Sequence, residues 1–315
     1  MKVLVTGGAG FIGSALARRL ADDGNEVIVL DNFNEYYDPE LKLAREQSLL
    51  TGITVLRGDI TDVDFVNTVF QEHELDVVCH FAAQAGVRYS VEHPSKYVLS
   101  NVLGTQIILE AMKEHKAMHM VFASTSSAYG MSAQSPFKET ENADRPVSVY
   151  SATKRACEML GHSYHQQYGM NVTCLRFFTV YGPWSRPDMA MLKFAHKITA
   201  GETIDIYNNG DMRRDFTYID DIVEGFKLAA EKPLGYEVIN LGNGAPIELL
   251  AFIELLETEM GITAKKNMMP MQQGDVYETF ADTDKARELL GFEAKVDFKE
   301  GMKKFVAWYK EYYKA

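Results

Sequence analysis

Thr6-Gly7-Gly8-Ala9-Gly10-Phe11-Ile12-Gly13 decides the fold of this chain. It follows the apolar, β-branched run Lys2–Thr6 and opens the helix-like stretch Phe11–Asp23, so it marks a strand-to-helix junction. Glycines at 7, 10 and 13 permit a tight turn and let a diphosphate approach backbone N–H groups at the helix start. The GxxGxxG spacing is a variant of the dinucleotide fingerprint.

Outward from this junction the first half alternates short strands with longer helices. Further strands are expected at Glu26–Asp31, Thr54–Arg57, Asp76–Phe81, Met118–Ser124 and Asn171–Arg176. Helices are expected at Asp64–Glu74, Pro94–Lys116 and Ser148–Tyr168, among others. Strand, helix, strand in succession means parallel strands joined by crossover helices, hence an α/β, doubly wound Rossmann sheet. Val27-Ile28-Val29-Leu30 has no polar face, as a strand covered on both sides requires. The regular pattern ends near Tyr181, and Gly182-Pro183-Trp184-Ser185-Arg186-Pro187 reads as a loop. The expected division is therefore a dinucleotide-binding domain over 1–181, rejoined by about 218–242, and a smaller α/β lobe over 182–315 that holds the substrate.

Open parallel sheets bind ligands beyond the C-terminal ends of their strands. Asp31 ends the second strand, where a carboxylate can accept hydrogen bonds from both ribose hydroxyls of an adenosine. Its charge would repel a 2′-phosphate, which favours NAD over NADP. Asp59-Ile60 and Phe81-Ala82-Ala83 end the third and fourth strands.

Composition narrows the function. The 315 residues are 46% hydrophobic and 24% charged, as in ordinary globular proteins, and carry a net charge of -12. That charge argues against broad nucleic-acid binding; an anionic substrate would need a few arginines gathered locally. Cys79, Cys157 and Cys174 lie far apart and suggest neither a zinc site nor a disulfide framework. The eight histidines show no recurrent metal-ligand spacing. The opening Val3-Leu4-Val5 is broken at once by Thr6-Gly7-Gly8, unlike a signal peptide, and no apolar run is long enough to span a membrane. A cytoplasmic enzyme without a metal is the expectation.

Tyr150-Ser151-Ala152-Thr153-Lys154 is YxxxK at the start of a helix, 25 residues beyond Thr125 in Ser124-Thr125-Ser126-Ser127. Residues four apart share a helix face, so Tyr150 and Lys154 can enter one cleft. A free tyrosine, with pKa about 10, is a poor base at neutral pH. Bringing it near 7 requires roughly 4 kcal/mol of differential stabilisation. A neighbouring ammonium and a positively charged nicotinamide are expected to supply this. Cys157, on the same helix, has no evident basic partner and is read as packing.

The fingerprint, Asp31, the hydroxyl cluster and YxxxK together resemble the extended short-chain dehydrogenase/reductases, including UDP-galactose 4-epimerase, over essentially the whole chain. Asp31–Pro39, Ala83–Ser90 and Arg176–Trp184 are similar more specifically to UDP-glucuronate 4-epimerases. Departures from that pattern are Ser185 in place of glycine and Tyr277 in place of proline. The resemblance implies that Tyr150 removes the C4 hydroxyl proton, Thr125 hydrogen-bonds that hydroxyl, and Lys154 tunes the tyrosine. Hydride passes from C4 to NAD; the resulting 4-keto sugar turns about its diphosphate linkage and takes the hydride back on the opposite face. Phe11, Ile12, Asn32, Gln84 and Asn101 complete the expected cofactor-binding set. Phe178 packs beside the nicotinamide or is a core aromatic. Arg214 resembles a diphosphate-binding arginine, and Asp275 is expected at the uridine ribose. The helices Pro94–Lys116 and Ser148–Tyr168 would pair across a homodimer, as the family's do, although the same apolar stripes also suit a core.

The residues after Thr125 choose the fate of the keto sugar. Related dehydratases carry Asp-Glu there, and related UDP-glucuronate decarboxylases a glutamate at the position of Ser127. Here Ser126 and Ser127 are neutral, and can hydrogen-bond a substrate carboxylate that a glutamate would repel. With Thr179 they are expected to hold a uronate away from decarboxylation, or else they satisfy backbone groups at a strand end. Arg186 could reach the uronate or the phosphates. Arg88 serves either the substrate or a surface salt bridge. The expected activity is epimerisation of UDP-glucuronate to UDP-galacturonate; decarboxylation, epimerisation of neutral UDP-sugars, or non-catalytic dinucleotide sensing are the competing readings.

Overall fold

A computed structural model describes residues 1–130, 134–271 and 276–314. Six strands follow one another: β1 (Lys2–Thr6), β2 (Glu26–Asp31), β3 (Thr54–Arg57), β4 (Val77–His80), β5 (His119–Thr125) and β6 (Asn171–Phe177). They form one parallel sheet with the later strand Tyr236–Leu241, in the order Tyr236–Leu241, β6, β5, β4, β1, β2, β3. The order reverses between β1 and β4, so a crevice opens there at the C-terminal ends.

Alternation along β1 divides the core. Val3 and Val5 face α1 (Phe11–Asp22) and the helix Ile219–Glu231, through Leu16, Leu20, Ile222 and Phe226. Leu4 faces α3 (Val63–Glu72) and Gly104–Glu114, through Val66, Phe70, Ile108 and Met112. All three β1 side chains are fully buried, each worth about 1.5–3 kcal/mol relative to exposure. The doubly wound α/β expectation holds. Among the described residues no helix is long and apolar enough to cross a membrane.

Two elements differ from the sequence expectation. The stretch Pro94–Lys116 is not one helix: Pro94–Tyr97 runs into a π-helical segment, Val98–Leu103, before Gly104–Glu114. The wider turn changes the helix phase, so Asn101 points inward while Val98, Leu99 and Leu103 remain exposed. The second is α2 (Glu40–Leu49), which was not among the helices singled out from sequence. Its buried face includes Lys42 and Arg45, so apolar periodicity gives little sign of it.

Beyond β6, Thr179–Tyr181 and Pro246–Glu248 flank Arg213–Tyr218 in a smaller sheet that also includes Glu278–Thr279. The loop containing Arg186 runs between Thr179–Tyr181 and the helix Ala190–Thr199 and faces the crevice.

Candidate active site

A cleft of about 250 Å³ lies at the crevice. Its floor is the glycine turn. Gly7 has φ +68°, and a Cβ there would stand 2.7 Å from the backbone nitrogen of Ala82. A Cβ on Gly13 would stand 2.5 Å from the carbonyl oxygen of Gly7. The turn and the end of β4 can approach this closely only because those positions lack side chains. No acidic residue occupies the first turn of α1, so the positive end of its dipole is unopposed there. This cradle suits a dinucleotide diphosphate.

Gly7, Gly10, Phe11, Ile12, Gly13, Asp31, Asn32, Asp59, Ile60, Phe81, Ala82, Ala83 and Gln84 all line the cleft. Asp31 does not stand alone. Its Oδ1 accepts from Lys42 Nζ at 2.8 Å and from the N–H of Phe33 at 2.8 Å, while Oδ2 accepts from the N–H of Ala9 at 3.1 Å. The ammonium offsets much of the charge that was expected to repel a 2′-phosphate. Asp59 is raised by burial, but hydrogen bonds from Asn32 and Thr61 outweigh this and hold it below the usual carboxylate range. Asn101 does not line the cleft. Its side chain accepts from Gln84 N at 2.7 Å and donates to Gln84 O and to Thr153 Oγ1. Its amide therefore fixes the Gln84 backbone from behind.

At the other end, Ser148 caps the helix Val149–Tyr168 by accepting from the N–H of Ser151. Tyr150 and Lys154 leave the first turns of that helix on one face and line the cleft together with Thr125 of β5. Burial raises the Tyr150 pKa; the Arg186 guanidinium and a hydrogen bond with Thr125 lower it, and Asp188 raises it. Arg186 therefore favours the phenolate from the loop after Tyr181. Lys154 donates to the carbonyl of Ala123 at 2.9 Å, and its own pKa is pushed down to about 8, chiefly by burial.

Arg186 lines the same cleft. Its Nε and Nη2 donate to the two carboxylate oxygens of Asp188 at 2.9 and 2.7 Å, and Tyr36 Oη donates to Asp188 Oδ2 at 3.1 Å. A side-on pair of this kind fixes the guanidinium plane. Among the described residues that line the cleft, the only carboxylates are Asp31 and Asp59, both at the nucleotide-turn end. The glycine cradle, the strand-end residues and YxxxK share one crevice, the arrangement of an NAD site joined to a base.

Residues 3–242 match the NAD dependent epimerase/dehydratase family. The chain belongs to that family. A UDP-glucuronate 4-epimerase of Arabidopsis thaliana is 45% identical, over 99% of this chain and 76% of that protein. The Bacillus cereus UDP-glucuronic acid 4-epimerase, solved with UDP-glucuronic acid and NAD, superposes with a TM-score of 0.92 at 36% identity, over 99% of this chain and all of that one. A UDP-glucose 4-epimerase of Thermotoga maritima, solved with UDP-glucose, gives the same TM-score at 33% identity over the same shares.

Within this family member several expected substrate residues stand apart from the cleft lining. Thr125 Oγ1 accepts from the N–H of Ser127 at 3.1 Å, and Ser126 and Ser127 turn away into a short 3-10 segment. Here the Thr125 hydroxyl satisfies the backbone of the turn, and neither Ser126 nor Ser127 is a lining residue. Thr179 is held in its strand opposite Phe216, while its neighbours Phe178 and Val180 line the cleft. Phe178 also packs 6.0 Å from the ring of Phe137, so it is a packed aromatic that borders the cleft. Arg88 is exposed and lies 5.6 Å from the ring of Tyr207 in the second lobe. Arg214 Nη1 donates to the carbonyls of Arg213 and Tyr277. Asp275 falls outside the described residues. The sequence reading missed Tyr36, Tyr37, Lys42 and Ser100 as lining residues. The only available signal was the resemblance of Asp31–Pro39, which already contained both tyrosines.

Proposed function

We infer that this enzyme epimerises UDP-glucuronate to UDP-galacturonate at C4, with NAD as its cofactor. The observation that carries the reading is a cation and a base in one cleft: Arg186, oriented by Asp188, beside Tyr150, with Asp31 and Asp59 the only carboxylates among the described lining residues and both at the other end. A uronate carries a carboxylate that a guanidinium can pair with, whereas dehydration needs acids to move protons at C5 and C6. Ser126 and Ser127 supply no such acid. The similarity to two UDP-glucuronate 4-epimerases supports the same substrate.

The roles follow from chemistry. Tyr150 takes the O4 proton and returns it, with Thr125 hydrogen-bonding the same oxygen. Lys154 keeps the tyrosine's surroundings cationic and holds the cofactor ribose. The cofactor supplies reversible hydride acceptance at C4 when bound. Gly7, Gly10 and Gly13 hold its diphosphate, Asp31 with Lys42 its adenosine ribose, and Gln84, Phe178 and the Phe81–Ala83 strand end its nicotinamide half. Arg186 takes the uronate carboxylate. The 182–315 lobe carries the nucleotide end of the substrate, with Arg88, Arg214 and Asp275 on that side and Ser126, Ser127 and Thr179 supporting the sugar pocket through their neighbours.

The reading includes a cytoplasmic setting, consistent with three free, buried cysteines. It also includes a homodimer, supported by the exposed apolar side chains of Val98, Leu99, Leu103 and Met159 on the two helical stretches expected to pair. Light scattering of the purified enzyme checks the dimer.

The Thermotoga likeness favours a second reading, a neutral-sugar epimerase with the same fold and base. NMR of the product from UDP-glucuronate separates them. UDP-galacturonate as the main product, formed without added reductant, supports the inference. A UDP-pentose as main product, or equal turnover of UDP-glucose, overturns it.

A further inference from the structure

Arg45 is a fully buried arginine on α2 that no step above uses. Its Nη1 donates to the carbonyl of Ala9 in the glycine turn at 3.2 Å and to Tyr37 Oη at 2.7 Å. Its Nε and Nη2 both donate to the carbonyl of Trp184, at 3.1 and 2.7 Å. One planar guanidinium thus ties the cofactor turn to the loop that carries Arg186, two residues beyond Trp184. Trp184 needs such a tie. It is a non-glycine residue at φ +65°, a conformation that persists only where surrounding contacts fix it. Its ring is gripped by Trp308 and Tyr312, at centroid distances of 5.3 and 5.0 Å. The neighbour of Tyr37 reaches the far end of the same loop, since Tyr36 Oη donates to the Asp188 carboxylate that orients Arg186.

We propose that Arg45 is a positioning residue: from the cofactor side of the cleft it fixes the 182–188 loop, and so sets where Arg186 stands relative to Tyr150. Tyr37 and Tyr36 brace the two ends of the strut. The Arg45–Trp184 and Tyr36–Asp188 ties join the segment after β2 to the loop after Tyr181, so order in the cofactor half is carried to the substrate half. The inference rests on the functional reading only in assigning Arg186 to substrate.

The test compares holoenzymes of wild type, Arg45→Met, Arg45→Lys and Tyr37→Phe. In Arg45→Met, KM for UDP-glucuronate rises about tenfold while kcat changes less. The acidic limb of the pH–rate profile moves to higher pH, because a displaced Arg186 no longer favours the Tyr150 phenolate. Arg45→Lys, which keeps the charge but not the fork, falls between the two. Hydrogen exchange accelerates in 182–188 more than in β1–β6. A lower melting temperature with unchanged KM, pH limb and loop exchange makes Arg45 merely structural and overturns the proposal. If Arg45→Met does not fold, Tyr37→Phe decides in the same way, with about a threefold rise in KM expected. If wild type does not turn over UDP-glucuronate, the functional reading falls alone, and loop exchange in the variants still judges Arg45.

Discussion

The two ends of the cleft are built by different means. The cofactor end is made largely of backbone: a glycine turn, a helix start and the ends of β2, β3 and β4. The substrate end is made of side chains from distant segments, with Tyr36, Thr125, Tyr150, Arg186 and Asp188 meeting across the fold. Backbone sites tolerate no added atoms, whereas side-chain sites depend on which charges are held where. The first kind is broken by volume and the second by charge.

The largest effect is expected from the base. Tyr150→Phe lowers kcat by about 10³-fold or more while UDP-glucuronate affinity stays within a few-fold, since only the proton carrier is lost. Turnover by NMR and binding by calorimetry check the split. Unchanged turnover would remove Tyr150 from the chemistry.

Arg186→Gln comes next and tests whether charge governs the substrate end. KM for UDP-glucuronate rises about a hundredfold, with little change for UDP-glucose. Tyr150 also loses the cation that lowers its pKa, so activity requires higher pH. Equal losses for the two sugars would detach Arg186 from the carboxylate.

At the cofactor end, Gly13→Ala places a Cβ against the carbonyl oxygen of Gly7 and destabilises the turn by about 1–3 kcal/mol. NAD affinity falls, and NAD titration of the purified variant measures it. An unimpaired variant would show that the turn has slack. A smaller effect is expected from Lys42→Met, which leaves the Asp31 carboxylate unpaired except for backbone N–H groups. Discrimination against NADP sharpens by about tenfold, because the offsetting charge is gone. Competition binding of the two cofactors reads the ratio.

A last effect concerns pH and stability beneath the cofactor turn. His80 joins Thr6 Oγ1 at 2.7 Å and Thr105 Oγ1 at 3.0 Å, and burial, with Lys154 nearby, pushes its pKa down to about 3. Unfolded, it takes a proton near pH 6.5, so its folded pKa is depressed. The unfolded state binds the extra proton between those values, and stability therefore falls as pH drops from about 6.5 towards 3. Melting temperatures of wild type and His80→Gln over that range should differ in slope. Parallel curves would show that His80 titrates normally.

The same contrast explains what was legible in the sequence. β1 and β2 match their expected bounds, because buried parallel strands are short apolar runs closed by glycines and aspartates, and the half-exposed edge strand β3 matches because Gly58-Asp59 closes it. The glycine turn, Asp31 and YxxxK were readable because their geometry follows from adjacent residues or from four-residue helix spacing. α2 was not, since its buried face carries Lys42 and Arg45, whose burial depends on partners that come from elsewhere in the fold. The π-helical segment at Val98–Leu103 was equally hidden, because no periodicity separates it from an ordinary helix.

By itself, the sequence determined the parallel sheet, the glycine turn and the placing of Tyr150 and Lys154 on one helix face, all properties of local spacing. Tertiary structure alone decided that Lys42 offsets Asp31, that Asn101 backs Gln84, and that Arg186, held by Asp188, shares the cleft with Tyr150. Those outcomes depend on Coulomb interactions and hydrogen bonds between residues well beyond one helix turn or strand, and their strength is set by burial and distance, which no local pattern records.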